Sequence, residues 1–322
     1  MRIPFVRAAI VVAGMLAVSG VAAQGYPARP VRMVVPLTAG SGADIAGRIV
    51  GRKLTEVWKQ SVIADNRPGA GGQIGTQLVV NSSADGYTWL VQSASHAANP
   101  AIYEKLPYDS LKDLADVALL GTSPYIMVAA PGGPYRTLQN LIDAAKAKPG
   151  QIPFASAGVG SSTHLTAEYF AQAAGLQMIH VPFKGSPEAI TDAATGRVSF
   201  YMAPIGTAIG MAQENRVRVL GVTSAKRVPQ LPNVPTIAEQ GLTGFAIDLW
   251  FGLWVPAGTP RAIVQKINAD VNQVLKAKDV QDQYDKLGMS TGAMSTEQFG
   301  KFVRSEIDKY QKIVKSAGIK PL

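Results

Sequence analysis

From residue 31 to residue 222, short apolar or β-branched runs alternate with segments whose apolar residues recur at helical spacing. Buried strands covered by helices on both faces produce that alternation, so the chain reads as parallel α/β layers. Strand-like runs fall at 31–35, 61–64, 88–92, 117–120, 126–130, 154–156, 178–181, 198–202 and 217–222, and helical patterns at 45–57, 74–80, 138–147, 163–174, 189–194 and 206–213. The last third adds one strand, 251–255, and two long helices, 260–277 and 296–317. One device occurs twice, at 31–57 and again at 154–174: a strand, a loop of small residues, then a helix. The expected architecture is two α/β lobes, each a mainly parallel sheet flanked by helices.

The two loops carry the chemistry. The first reads Leu37-Thr38-Ala39-Gly40-Ser41-Gly42-Ala43-Asp44 and the second Ser156-Ala157-Gly158-Val159-Gly160-Ser161-Ser162-Thr163-His164. Each joins the carboxyl end of a strand to the start of a helix, where unpaired backbone N–H groups and the positive end of the helix dipole favour an anion. Open α/β sheets bind ligands at that edge. Glycine lets the backbone come close, and Thr38, Ser41, Ser161, Ser162 and Thr163 add hydroxyl donors. Either loop alone is also read as a plain helix start, with Ser162 or Thr163 as cap and Asp44 complementing the dipole. A matched pair in two lobes favours a ligand held between them. The pattern is not that of a nucleotide site: 40–44 lacks the third glycine of GxGxxG, and no GxxxxGK[ST] occurs.

Much chemistry is excluded. The chain has no cysteine, and its three histidines (His96, His164, His180) form no HExxH or other close pair, so no metal and no cofactor is expected. Ser161, His164 and Asp44 compose an imaginable hydrolase triad, but no GxSxG elbow is present. His96 is expected in a polar turn after the 88–92 strand, and His180 as a structural histidine in its strand. The 66–72 segment, Asn66-Arg67-Pro68-Gly69-Ala70-Gly71-Gly72, is a turn by composition that either joins two elements or reaches a ligand. Trp58, Trp89, Trp250 and Trp254 are core candidates, with Trp250-Phe251 also able to face a cleft.

At the amino end, Arg2 and Arg7 precede a charge-free stretch at 8–18 and the small residues 19–23. This is a secretory signal peptide, 1–23, cleaved after Ala23; the apolar stretch is shorter than the roughly 20 residues needed to span a bilayer. Its removal lowers the net charge from +9 to +7, with 29 basic residues against 22 acidic ones. The basic residues are dispersed and no aromatic–basic stripe accompanies them, so no nucleic-acid partner is expected.

The longer motifs closely resemble one family. Residues 66–75 (NRPGAGGQIG), 85–88 (DGYT), 106–109 (LPYD), 180–185 (HVPFKG), 231–236 (LPNVPT) and 250–253 (WFGL) occur in the order found in the Bug receptors, the extracytoplasmic solute-binding proteins of tripartite tricarboxylate transporters. The resemblance runs from about residue 26 to residue 322. It implies a two-lobed periplasmic binding protein of type II-like fold, with lobe 1 formed by 24–124 plus 246–322, lobe 2 by 125–245, and hinges near 123–129 and 244–253. It implies a small organic carboxylate as ligand, held by backbone amides, hydroxyls and water rather than by an arginine clamp, and inner-membrane tripartite transporter subunits as partners. The expected site is Leu37, Thr38, Ala39, Gly40, Ser41, Gly42 and Asp44; Ser93, Ser95 and His96; Ala157, Gly158, Gly160, Ser161, Ser162 and Thr163; and Ala203 with Pro204. A periplasmic monomer is expected, with a serine hydrolase of small esters or amides, or an orphan sensory receptor, as the alternatives. Two departures stand out. Thr38, Ser41 and Ala43 occupy positions where the family usually carries glycine or proline, and Ala203-Pro204 replaces an Asp-Asn pair. Loss of that pair favours an aromatic or aliphatic carboxylate over an amino acid.

Overall fold

The computed structural model describes residues 25–316 and 318; the expected signal peptide and the last residues of the chain lie outside them. Among the described residues no helix is long and apolar enough to cross a membrane.

The first sheet is built on β1 (Val31–Val35), flanked by β2 (Val62–Asn66) and β3 (Thr88–Ser93), both parallel to it. On the far side of β3 run β9 (Asp248–Pro256) and then β4 (Leu114–Ala129), each antiparallel to its neighbour. The second sheet repeats the scheme: β5 (Pro153–Ser156) lies between β6 (Ile179–Pro182) and β7 (Phe200–Pro204), all parallel, and β7 pairs antiparallel with β4. The short strands β8 (Arg218–Val222) and β10 (Ser290–Thr291) also add to β4. Each sheet thus has a parallel three-strand core and an antiparallel seam, made by β9 and β4 in the first and by β4 with β8 in the second.

Helices follow the parallel strands: α1 (Gly42–Trp58) after β1, α2 (Gln73–Val80) after β2, α3 (Ser95–Ile102) after β3, α5 (Ser162–Ala173) after β5, α6 (Ser186–Thr195) after β6 and α7 (Ile205–Gln213) after β7. Helix α4 (Leu138–Ala147) precedes β5, and α8 (Arg261–Val274), α9 (Lys278–Lys286) and α10 (Thr296–Ser316) close the chain. Two helices start by the same local device. The Ser41 hydroxyl accepts from the Asp44 N–H at 3.4 Å, and the Ser161 hydroxyl accepts from the His164 N–H at 3.3 Å, each tying down one donor of an open first turn.

Four expectations need correction. The runs 117–120 and 126–130 belong to one sixteen-residue strand, β4. Pro124 reads as a break, yet it is the last residue paired with β9, so its missing donor falls where the strand changes sheets. Residues 95–102 form a helix rather than a polar turn, with Pro100 inside it; burial of Ser95 to Asn99 outweighs the bond that proline removes. Helix α9 was hidden because only Val280 and Tyr284 of its nine residues are buried. Strand β9 extends beyond 251–255 in both directions.

Trp89, Trp250 and Trp254 are fully buried, and each indole N–H finds an acceptor: the Gly86 carbonyl at 2.7 Å, Glu306 at 2.8 Å and Asp116 at 2.8 Å. Partly buried Trp58 donates to Asp270 at 2.6 Å. Gly252, in the middle of β9, leaves room for this aromatic cluster; a Cβ there would overlap the Trp254 and Phe299 rings. Gly252→Ala is expected to lower stability by about 1–3 kcal/mol, the usual cost of overpacking. Gly210→Ala, on an open face of α7, leaves stability unchanged or raises it. Urea unfolding followed by tryptophan fluorescence measures both.

Candidate ligand-binding cleft

Strands β1, β3, β5, β6 and β7 all send their carboxyl ends toward one small cavity. The β1–α1 loop contributes Leu37, Thr38, Ser41, Gly42 and Ala43, and the end of β3 contributes Ser93 and Ser95. Across from them stand Ala157, Ser161, Ser162 and Thr163 from the β5–α5 loop, Gly185 and Ser186 at the start of α6, and Pro204 at the end of β7. Leu249 and Phe251 of β9 line the cavity as well. No lining residue carries a charge.

The polar character comes from helix starts. The first-turn N–H groups of an α-helix have no acceptor within it, and Gly42, Ala43, Thr163 and Ser186 place theirs in the cavity wall. The Thr38 hydroxyl is buried with no hydrogen-bond partner. Ser161 and Thr163 share a hydrogen bond at 3.0 Å, and the Ser186 hydroxyl accepts from Tyr201 at 2.8 Å.

The two sides of the cleft are in contact. The Ser162 N–H donates to the Ser95 hydroxyl at 3.0 Å, and the Tyr103 hydroxyl donates to the Val159 carbonyl at 3.2 Å. Gly185 packs so closely on Thr38 that a Cβ there would overlap the threonine hydroxyl.

Several expected residues stand elsewhere. Ala39, Gly40, Asp44, Gly158, Gly160 and Ala203 do not line the cavity. Asp44 faces back into its own loop, accepting from the Gly40 N–H at 2.9 Å, Asn66 at 3.0 Å and Arg48 at 2.9 Å. Its carboxylate therefore holds the loop's shape, and Asn66 helps by donating to the Leu37 carbonyl at 3.0 Å. Ala203 is buried in the core beneath the second sheet. His96 points away from the cavity because it is one step, about 100°, around α3 from Ser95; its ring packs 4.2 Å from that of Trp254. The imagined triad is not assembled. Ser161 meets the His164 backbone rather than its ring, His164 Nδ1 accepts from the Gly160 N–H at 3.3 Å, and Asp44 is engaged elsewhere.

The expected site lacked Ala43, Gly185, Ser186 and Leu249, whereas Phe251, read as able to face a cleft, does line the cavity. A signal for two of them existed: Gly185-Ser186-Pro187 is a helix start with proline in its first turn. The 66–72 turn does more than join elements. Its residues Pro68 to Gly72 line an outer chamber together with Tyr103, Gly158, Val159, Phe183 and Lys184, and Leu37 and Ala157 line both spaces.

Together these features define a solute-binding receptor of the periplasmic binding protein fold. A family model described as the tripartite tricarboxylate transporter family receptor matches residues 46–319, and the chain belongs to that family, in its Bug branch. Its members are periplasmic receptors, not enzymes. The protein BugT of Bordetella pertussis is 33% identical over 302 residues, 93% of each chain. The solved R. palustris protein Rpa4515 with adipate is 32% identical, with a TM-score of 0.89 over 92% of this chain and 100% of that one. MatC from Rhodopseudomonas palustris with bound malate is 29% identical, with a TM-score of 0.85 over 90% of this chain and 100% of that one.

The second loop rests on a pair of stacked histidines. The His164 and His180 rings lie 3.8 Å apart, and His180 Nε2 meets the Ser156 hydroxyl at 2.5 Å. Burial, then the nearby His164, pushes His180 down to about 3; burial pushes His96 down to about 4. Both lie below the ordinary value of 6.5, so the folded chain binds fewer protons than the unfolded one. The stability this confers is full above pH 6.5 and is lost as pH falls through 6.5 toward 4, each group adding a slope of at most about 1.4 kcal/mol per pH unit. Thermal unfolding is expected to be flat from pH 7 to 8 and to drop steadily from pH 6.5 to 4, with a shallower drop in His180→Asn.

Proposed function

We propose that the chain captures a small organic carboxylate at this cavity between the two loops and delivers it to the membrane subunits of a tripartite transporter. The observation that carries this reading is a cavity with no charged side chain in its wall, four open helix-start N–H groups and the unpartnered Thr38 hydroxyl. Helix starts and hydroxyls suit an anion. Leu37, Leu249, Pro204 and Phe251 supply apolar wall for a hydrocarbon body. Adipate and malate in the two R. palustris proteins support the carboxylate. With Pro204 in the wall where the family usually carries a polar side chain, an aliphatic or aromatic acid fits better than an amino acid.

In this reading the chain is exported by residues 1–23 and works as a periplasmic monomer. Its lobes are 24–124 plus 246–322 and 125–245, and they hinge near 123–129 and 244–253. Ligand then favours the closed population by its extra contacts with both lobes. Small-angle X-ray scattering is expected to show a smaller radius of gyration when a bound carboxylate is present than after its removal.

Thr38→Val separates binding from stability. A hydrogen bond to a charged group contributes about 1.5–3 kcal/mol, so affinity for a bound carboxylate should fall about tenfold to a hundredfold. Loss of a buried, unpartnered hydroxyl should leave the melting temperature unchanged or raise it. Calorimetric titration beside a melting curve reads both, and undiminished affinity removes Thr38 from the site.

A further inference from the structure

The outer chamber differs from the inner cavity in one respect: it holds a cation. Lys184 is the one lysine or arginine in the wall of either space. Its side chain is exposed and, among the described residues, makes no ion pair; its backbone N–H donates to Glu188 at 3.1 Å. Gly185, the next residue, lines the inner cavity, and consecutive Cα atoms are about 3.8 Å apart. Leu37 and Ala157 belong to both walls. A ligand chain that extends past the shared residues Leu37 and Ala157 would enter the chamber that Lys184 lines.

Resting on the carboxylate reading above, we propose that Lys184 is the specificity-determining residue for a second anionic group on the ligand. The inner cavity takes one carboxylate with neutral donors, and the ammonium of Lys184 pairs with a second carboxylate at the far end. The substrate class this selects is the straight-chain dicarboxylate over the monocarboxylate of equal length. An ion pair at an exposed site is worth little, so the discrimination is modest and falls with salt.

The test is calorimetric titration of the full exported chain with the dicarboxylates from succinate to suberate and with their monomethyl esters, at low salt and at 0.5 M sodium chloride. At low salt the best diacid should bind about three- to tenfold more tightly than its monoester. That gap should shrink at high salt, close in Lys184→Gln and persist in Lys184→Arg. Equal binding of diacid and monoester by the unaltered chain, or the same gap in Lys184→Gln, overturns the role of Lys184 and leaves the carboxylate reading standing. Failure of every diacid and every monoester to bind overturns the Lys184 proposal; binding of benzoate, phthalate or malate in the same titration then keeps the carboxylate reading, and failure of those too overturns it.

Discussion

Both sheets depend on β4. Its first eleven residues pair with β9 and its last five with β7 and β8, so one unbroken strand belongs to two sheets. A strand can do this only if it is extended throughout and changes partners at one point, here between Pro124 and Tyr125. Thr223 secures that point: its hydroxyl accepts from the Tyr125 N–H at 2.9 Å and donates to the Tyr125 carbonyl at 3.3 Å. Because the parallel cores on either side of β4 both end in loop-to-helix turns, joining them through β4 brings the two sets of turns face to face. The cleft follows from that geometry.

Within the cleft, rigidity comes from residues that do not face a ligand. Asp44, Arg48 and Asn66 fasten the first loop from behind, and the stacked His164–His180 pair with Ser156 does the same for the second. Both sets are polar groups spent on the protein's own backbone. Donors in the wall are thereby held in place before any ligand arrives, which lowers the ordering cost of binding.

The fold was largely legible in the sequence because buried parallel strands and their covering helices leave strong periodic traces, as at 31–35 and 45–57. What escaped did so for physical reasons. Pro124 carries the local signature of a break, and only the paired β9 and Thr223 show why the strand continues through it. The 95–102 helix is made of small residues with a proline, so its stability lies in burial against α10 and β9, which no local pattern displays. Thr38, Ser41, Ser161, Ser162 and Thr163 were legible because loop composition at a strand end is itself chemical information. Leu249 was not, since an apolar residue on a central strand reads as core whether it meets another side chain or an empty space; Phe251 was readable only as either. His96 was misplaced for the complementary reason: one helical step from Ser95 separates cavity wall from interior.

The hydrogen bond from Ser162 to Ser95 bears on unloading. A receptor must release its cargo as reliably as it captures it, and an emptied anion seat normally leaves several donors to be reclaimed by water. Here one donor of the seat already has an internal acceptor from the opposite side of the cleft. A hydrogen bond of this kind contributes about 0.5–1.5 kcal/mol, a factor of roughly two to ten in any equilibrium that breaks it. Any ligand oxygen that takes this donor must first displace Ser95, so the bond that joins the two sides also lowers the ligand's retention.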